Sequence, residues 1–403
     1  MAVLDHYGGM PWKVINAMDQ RKQLFIEYQQ GEQIAELGRR YGVSRQTVYK
    51  WLERYSQQGE DGLEDRTSAP GRHPQQCPKA IRERVLLLRQ QHTRWGPRKL
   101  RAYLQARRPE QHWPAASTIG DWLREEGLAH ARRRRRRTPP MSQPLSHAQQ
   151  PNQLWCADFK GWFRTKDGER IDPLTVTDAA TRYLLRCVSV DKSDGPHVRA
   201  VMEAAFREFG LPQAIRTDNG PPFASPAPAG LSRLAMWWIR LGIHHERIEP
   251  GEPQQNGRHE RMHLTLKQET ASPPGATRAA QQRMFLSFQE IYNRHRPHEA
   301  LHYATPQDHY QPSPRVFPSR LPELAFPPGA LLRRVAMHGD VKWRGQRLFV
   351  SEVLAHEPLG LVRSDDRYWA AYYGPVLLGW LDDRKLRFLP AHRPPPDLQF
   401  DQG

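Results

Sequence analysis

The sequence predicts a multidomain protein: two all-α helix-turn-helix units in tandem, a central mixed α/β core, and a small C-terminal β-barrel. Three observations carry this. Apolar residues recur at helical spacing up to about residue 130, run in strand-like stretches between Leu154 and Val190, and fall into short strand-like runs after residue 331. Proline- and arginine-rich stretches at 65–78, 131–151 and 311–329 interrupt those patterns and read as linkers. The chain of 403 residues carries 60 Lys plus Arg against 43 Asp plus Glu, a formal net charge of +17, which points to a polyanionic partner. The resulting domain boundaries are 12–64, 78–130, a linker at 131–151, 152–310 and 331–390.

The first unit, 12–64, contains Ile34 and Leu37 three apart, a break at Gly42, and Ser44 in position to cap a second helix. Val48, Leu52 and Tyr55 then mark one face of that helix. Helix, glycine turn and capped helix is the helix-turn-helix layout. The opposite face presents Arg45, Gln46, Tyr49 and Lys50, residue types that meet base edges and phosphates. An ordinary helical bundle with a solvated basic face is the alternative.

The second unit, 78–130, places Ile81, Val85 and Leu88 on one face, starts a helix at Pro97, and packs Leu100 with Leu104. Ser117 or Thr118 is expected to cap a third helix, which Gly127 stops. DNA binding and plain packing are both open for this unit. The six arginines of the linker, Arg132, Arg133, Arg134 and on to Arg137, are expected to lie along phosphates without reading sequence.

Several classes drop out. The three cysteines, Cys77, Cys156 and Cys187, form no Cys-x-x-Cys pair, which argues against a disulfide scaffold and a thiolate zinc site. The N-terminal MAVLDHYGGMPWKV lacks a basic segment followed by an apolar one, so no secretory leader is expected. The most apolar stretch, Tyr368–Leu381, spans 14 residues, short of the roughly 20 that cross a bilayer. A soluble cytoplasmic protein associated with the nucleoid is the expectation.

Between 152 and 310 the acids stand out. Asp158 sits among Trp155, Cys156, Ala157 and Phe159 in a strand-like run; Asp218 follows the short strand Ala214–Thr217; Glu260 lies in the first turn of a helix opened by Pro253-Gln254-Gln255-Asn256-Gly257. A lone carboxylate in an apolar strand is costly, so Asp158 needs a partner or a metal. Phosphodiester chemistry needs hard oxygen ligands from several elements for Mg²⁺, and two such ions flank the attacking and leaving oxygens.

The strings WCADFKGWF, IRTDNGPPF, ERIEPGEPQQNGRHERMHLTLKQE and YNRHRPHEALHYATP occur in this order. Over about residues 150–310 they resemble the integrase catalytic core of bacterial insertion-sequence transposases, the DDE group related to retroviral integrases. The resemblance implies a ribonuclease-H-like fold in which Asp158, Asp218 and Glu260 are catalytic and hold two Mg²⁺ ions, with Mn²⁺ able to substitute. It implies that Gln255 and Asn256 belong to a mobile segment that contacts DNA, and that Lys267 meets a phosphate. His263 shares the helix face of Glu260 by spacing, with a DNA contact or a plain surface role as its alternatives. Asp178, Glu252 and Glu269 fit the ligand set less well, and Arg296, Pro297 and His298 are assigned to capping or packing.

Two departures are visible. In this chain 41 residues separate Asp218 from Glu260, more than in retroviral relatives, with the excess in the PPFASPAPAGLSRL stretch. The zinc-binding N-terminal domain of retroviral integrases has no counterpart; two helix-turn-helix units stand there. The implied activity is recognition of terminal inverted repeats, cleavage to a 3′-hydroxyl, and transfer of that hydroxyl into double-stranded target DNA by a homo-oligomer. A regulator derived from a transposase and a simple metal-dependent nuclease are the competing readings. Lys342, Arg344, Arg347 and Arg363 of the expected barrel suit either DNA or oligomer contacts.

Overall fold

The computed structural model describes residues 16–65, 77–129, 148–248 and 257–395. The chain separates into two compact units, Met1–Gln76 and Cys77–Gly403. Among the described residues no helix is long and apolar enough to cross a membrane.

In the first unit, α1 (Ala17–Gln29), α2 (Ile34–Arg40) and α3 (Arg45–Gln58) close around Leu24, Leu37 and Val48, with Ile34, Tyr41, Val43 and Leu52 packed alongside. Gly42 takes φ +64° between α2 and α3, a conformation that L side chains rarely adopt. Ser44 caps α3 as expected, its hydroxyl accepting from the Thr47 backbone N–H at 3.2 Å.

The second unit opens with α4 (Lys79–Gln91), α5 (Pro97–Arg107) and α6 (Ala116–Glu125) around Val85, Leu100, Trp95, Trp113 and Ile119. Buried Arg89 ties the bundle by donating to the Trp95 and Leu128 carbonyls, both at 2.7 Å. The expected cap at Ser117 or Thr118 is corrected: α6 starts two or three residues earlier, with Ala115 as N-cap and no side-chain cap, directly after Pro114.

The central sheet runs in the order β5 (Leu184–Ser189), β4 (Pro173–Asp178), β1 (Leu154–Phe159), β6 (Ala214–Thr217), β7 (His244–Arg247). β1, β4 and β5 are antiparallel neighbours, whereas β6 and β7 continue parallel to β1. Between β1 and β4, β2 (Phe163–Arg164) and β3 (Arg170–Ile171) form a hairpin at the expected Asp167-Gly168 turn. α7 (Gly195–Phe209) and α8 (Arg233–Arg240) cover one face, packing Met202, Phe206, Leu234, Trp237 and Trp238 onto Trp155, Ala157, Val176 and Ile215. α9 (Gly257–Thr270) and α10 (Arg278–Arg294) cover the other, packing Met262, Leu266, Phe285 and Phe288 onto Ile171, Leu184 and Cys187. The sequence reading passed over α10, although Phe285, Phe288 and Tyr292 recur on one helical face and are buried.

The expected β-barrel is corrected to open sheets. β14 (Arg387–Pro390), β13 (Val376–Asp382), β12 (Tyr368–Tyr373), β11 (Pro358–Arg363) and β8 (Leu331–Arg334) form one five-stranded antiparallel sheet. β9 (Asp340–Trp343) and β10 (Gln346–Phe349) form a separate two-stranded one. α8 supplies the physical reason: its Ala235, Met236 and Ile239 enter the same apolar cluster as Val341, Leu359, Leu361 and Leu378. A sheet whose apolar face is covered by a helix need not close on itself.

Candidate active site

The three acids lie on three elements: the central strand, the turn after its parallel neighbour, and a helix. Asp158 is the fifth residue of central strand β1 and is 20% exposed at its side chain. Asp218 follows β6 directly. The parallel register of β1 and β6, with Cys156 beside Arg216, carried two residues onward sets Asp158 alongside Asp218. Glu260 lies in the first turn of α9 and is exposed.

The sequence around Asp218 fixes its approach. The Gly220 N–H donates to Asp218 Oδ1 at 3.2 Å, and a Cβ at Gly220 would stand 3.1 Å from Oδ2. Asn219 donates to the Ile248 carbonyl at 2.7 Å, holding the turn onto the end of β7. The Asp-Asn-Gly string is thus a structural requirement as well as a motif.

The Asp158 carboxyl is pushed up to about 7. Burial is the largest cause, and the negative charges of Asp218 and Glu260 add to it, against relief from the Phe159 N–H and the Lys160 ammonium. Asp158, with Asp218 and Glu260 near enough for their charges to act on it, offers hard oxygen donors of the kind a divalent cation takes. The residues present therefore fit Mg²⁺ or Mn²⁺.

Asp178 shows what a structural acid looks like in the same fold. It is fully buried, but its carboxylate accepts from the Asn152 N–H at 2.7 Å and from the Thr181 N–H and hydroxyl at 2.8 and 2.7 Å. Burial raises its carboxyl, while those donors oppose the rise. Glu269 pairs with Arg296 at 2.6 Å, and His298 contacts the Tyr292 carbonyl at 3.2 Å, so Arg296 and His298 pack.

His263 departs from expectation. It is 5% exposed and faces the sheet, so it is not the surface residue that its spacing from Glu260 suggested. Three residues of helix rotate a side chain by about 300°, which leaves His263 some 60° round from Glu260. The buried stripe of α9 is His259, Met262, His263, Leu266 and Thr270, whereas Glu260 and Lys267 stay exposed at its margin.

Two histidines and two threonines, none singled out from sequence except His263, form a polar support beneath Asp158. The Thr175 hydroxyl lies 2.7 Å from His259 Nε2 and 2.6 Å from His263 Nε2, and the Thr177 hydroxyl lies 2.9 Å from His259 Nδ1. Thr175 is also the cross-strand partner of Asp158 and donates to its carbonyl at 3.2 Å. If Thr175 gives its one proton there, both imidazoles donate through Nε2 and Thr177 donates to His259 Nδ1. His263 Nδ1 is then a bare acceptor, 3.8 Å from Asp158 Oδ2. One atom each of Asp158, His259 and His263 falls within 4.8 Å of the others, a grouping able to approach a cation. Burial pushes His259 and His263 down to about 3 and about 2, so both are neutral near pH 7. The signal in the sequence was the i, i+4 spacing of His259 and His263 facing threonines two apart on a strand.

Arg45, Gln46, Tyr49 and Lys50 are exposed on α3, with Tyr49 58% exposed. Arg132, Arg133, Arg134, Gln255 and Asn256 lie outside the described residues.

Comparison with known proteins places the chain in a family. Residues 148–253 and 241–306 match the integrase core domain, residues 20–72 a helix-turn-helix domain, and residues 47–123 a homeodomain-like domain that bridges both helical units. The insertion element IS407 uncharacterized 31.7 kDa protein of Burkholderia multivorans is 30% identical over 232 residues, covering 57% of this chain and 80% of its own length. The insertion element IS476 uncharacterized 39.2 kDa protein of Xanthomonas euvesicatoria is 33% identical over 232 residues, 56% of this chain and 63% of its own length. The transposase for insertion sequence element IS904 of Lactococcus lactis is 26% identical over 174 residues, 42% of this chain and 66% of its own length. With its helix-turn-helix domain and its integrase core, the chain belongs to the insertion-sequence transposase family of polynucleotidyl transferases.

Proposed function

We propose that this chain moves an insertion sequence: it binds the terminal inverted repeats, cuts a phosphodiester at each end, and joins the exposed 3′-hydroxyl to target DNA. The observation that carries this reading is the placement of Asp158 and Asp218 at adjoining positions of the parallel strands β1 and β6, with Glu260 in the first turn of α9, although Asp218 and Glu260 are 60 and 102 residues away from Asp158 in sequence. A pure DNA binder gains nothing from three carboxylates gathered where a polyanion must approach.

Asp158, Asp218 and Glu260 are the proposed ligands of two Mg²⁺ ions, which would supply Lewis-acid stabilisation to the attacking and leaving oxygens. The chain's own part is positional. The Thr175–His259–His263 support holds β1 at Asp158 through its main-chain carbonyl, and Lys267 meets a phosphate at the margin of α9. Each chemical step exchanges one P–O bond for another. Water displaces a 3′-oxygen in cleavage, and the 3′-hydroxyl displaces a target 3′-oxygen in joining, so neither step requires ATP. Arg45, Gln46, Tyr49 and Lys50 read the repeat, the Arg132–Arg134 run follows phosphates, and Gln255 and Asn256 touch the DNA end. Two ends cut in concert call for a homo-oligomer.

The test incubates the full chain with a labelled end of its own element, Mg²⁺ and a supercoiled plasmid. Labelled joint molecules that disappear in Asp218→Ala are expected. Selective binding of the end without divalent-dependent cutting or joining would support the regulator reading instead, and cutting without joining the simple nuclease.

A further inference from the structure

A cleft of about 290 Å³ is lined by Lys160, two residues after Asp158, by Trp162, Phe163 and Pro173, and by Leu266 and Lys267, about two turns along α9 from Glu260. Its two walls are the elements that carry Asp158 and Glu260: the segment leaving β1, and α9. Trp162 stands at its rim with 56% of its surface exposed, an uncommon state for the largest aromatic side chain. The Arg170 and Arg164 guanidiniums lie 5.0 and 5.9 Å from its ring centroid.

Those arginines are direct cross-strand partners in the β2–β3 hairpin. Like charges facing each other across two strands repel, and the cation–π contacts with Trp162 offset that only in part. Arg164 also donates to the Gly168 carbonyl at 2.6 Å, and a phosphate held by both guanidiniums reduces the repulsion that remains. Lys160 and the exposed Lys267 add two more positive charges on the cleft wall. The apolar floor of Phe163, Pro173 and Leu266 offers nothing to a phosphate, but it suits a flat aromatic ring. An exposed indole, an apolar floor and a ring of cations together match one ligand, a nucleotide whose base is out of the duplex stack.

We propose that this cleft is a nucleobase subsite, in which Trp162 stacks on an unpaired base next to the scissile phosphate while Arg164 and Arg170 hold the phosphate of that nucleotide. The subsite rests on the proposed DNA-cutting function and adds to it a way of keeping a frayed end open beside the acids. It is distinct from the acids and from the residues proposed to read the repeat.

The test uses the full chain in Ca²⁺ with two probes, a blunt duplex and the same duplex with a frayed single-stranded end carrying 2-aminopurine at an unpaired position. Wild-type protein is expected to quench the 2-aminopurine and to prefer the frayed probe by on the order of tenfold. Trp162→Ala is expected to lose both effects, whereas Trp162→Phe, which keeps a stacking ring, retains most of each. Equal quenching and equal preference in wild type and Trp162→Ala would overturn the subsite. Cutting of the frayed probe in Mg²⁺ is measured alongside. Wild-type cutting with no dependence of quenching on Trp162 removes the subsite and leaves the proposed function standing. Quenching that depends on Trp162 without any cutting does the reverse. Failure to bind either probe overturns both.

Discussion

The two helical units share a layout and differ in what they show to solvent. In the first, α3 buries Val48 and Trp51 and exposes Arg45, Gln46, Tyr49 and Lys50. In the second, α6 buries Ile119, Trp122 and Leu123 and exposes Asp121, Arg124, Glu125 and Glu126. The second is also built into the catalytic region. Ile291 of α10 packs into its core, Arg107 meets His295 at 3.1 Å, and Arg98 meets Glu299 at 3.5 Å. Lys99, half-buried beside Arg296, Glu269 and Glu299, is held down to about 8, chiefly by desolvation. The acids of α6 are paired in part, Glu125 and Glu126 with Arg82 and Asp121 with Arg124, and that face offers a phosphate less positive charge than the exposed face of α3 does.

The broadest way to sharpen this contrast separates chemistry from both units. Asp158→Ala, Asp218→Ala or Glu260→Ala is expected to reduce end cleavage by on the order of 10³-fold or more while leaving end binding within a small factor. Near-normal cleavage in any one variant removes that acid from the ligand set. Next, removal of residues 1–76 is expected to cost about 10³-fold in preference for the terminal repeat over random duplex, measured by competition, with metal-dependent cutting of DNA retained. The opposite pattern would move recognition to α6.

A narrower comparison sets single residues on the two exposed helices against each other. Lys50→Ala is expected to weaken repeat binding roughly tenfold and to flatten its log–log salt dependence by about one. Glu125→Ala on α6 is expected to leave affinity within about twofold. Equal losses would show that both helices face DNA. The smallest effect is a pH dependence where the second unit meets the core. Lys99 has a folded pKa of about 8 against an ordinary 10.5, so its half-buried charge costs stability in full below pH 8. Between pH 8 and 10.5 the unfolded chain keeps a proton that the fold has released, and stability rises with pH. Thermal unfolding of wild type across that window, compared with Lys99→Met, should show the rise in wild type alone. Parallel curves would place Lys99 in solvent.

Much of the site was legible because it is local. Asp158, Asp218 and Glu260 each sit in a short string whose backbone needs are written beside them, as with the glycine two residues after Asp218. The Ser44 cap and the Gly42 turn were legible for the same reason. His263 was not, because spacing along a helix gives relative angle and says nothing of which angle meets the sheet. That depended on Thr175 and Thr177, more than 80 residues earlier.

By itself, then, the sequence determined the local periodicities, the Ser44 cap and the Gly42 turn, the excess of positive charge and the strings that hold the three candidate acids. Each of these is set by residues within a turn or a strand of one another. Tertiary structure alone decided that the C-terminal strands stay open, because α8 covers them from a region about a hundred residues away. It alone decided that the second helical unit braces the core through α10, and that Trp162 stands exposed between two facing arginines. Which surfaces are covered, and which like charges are forced together, are properties of packing between distant segments, and no local pattern encodes them.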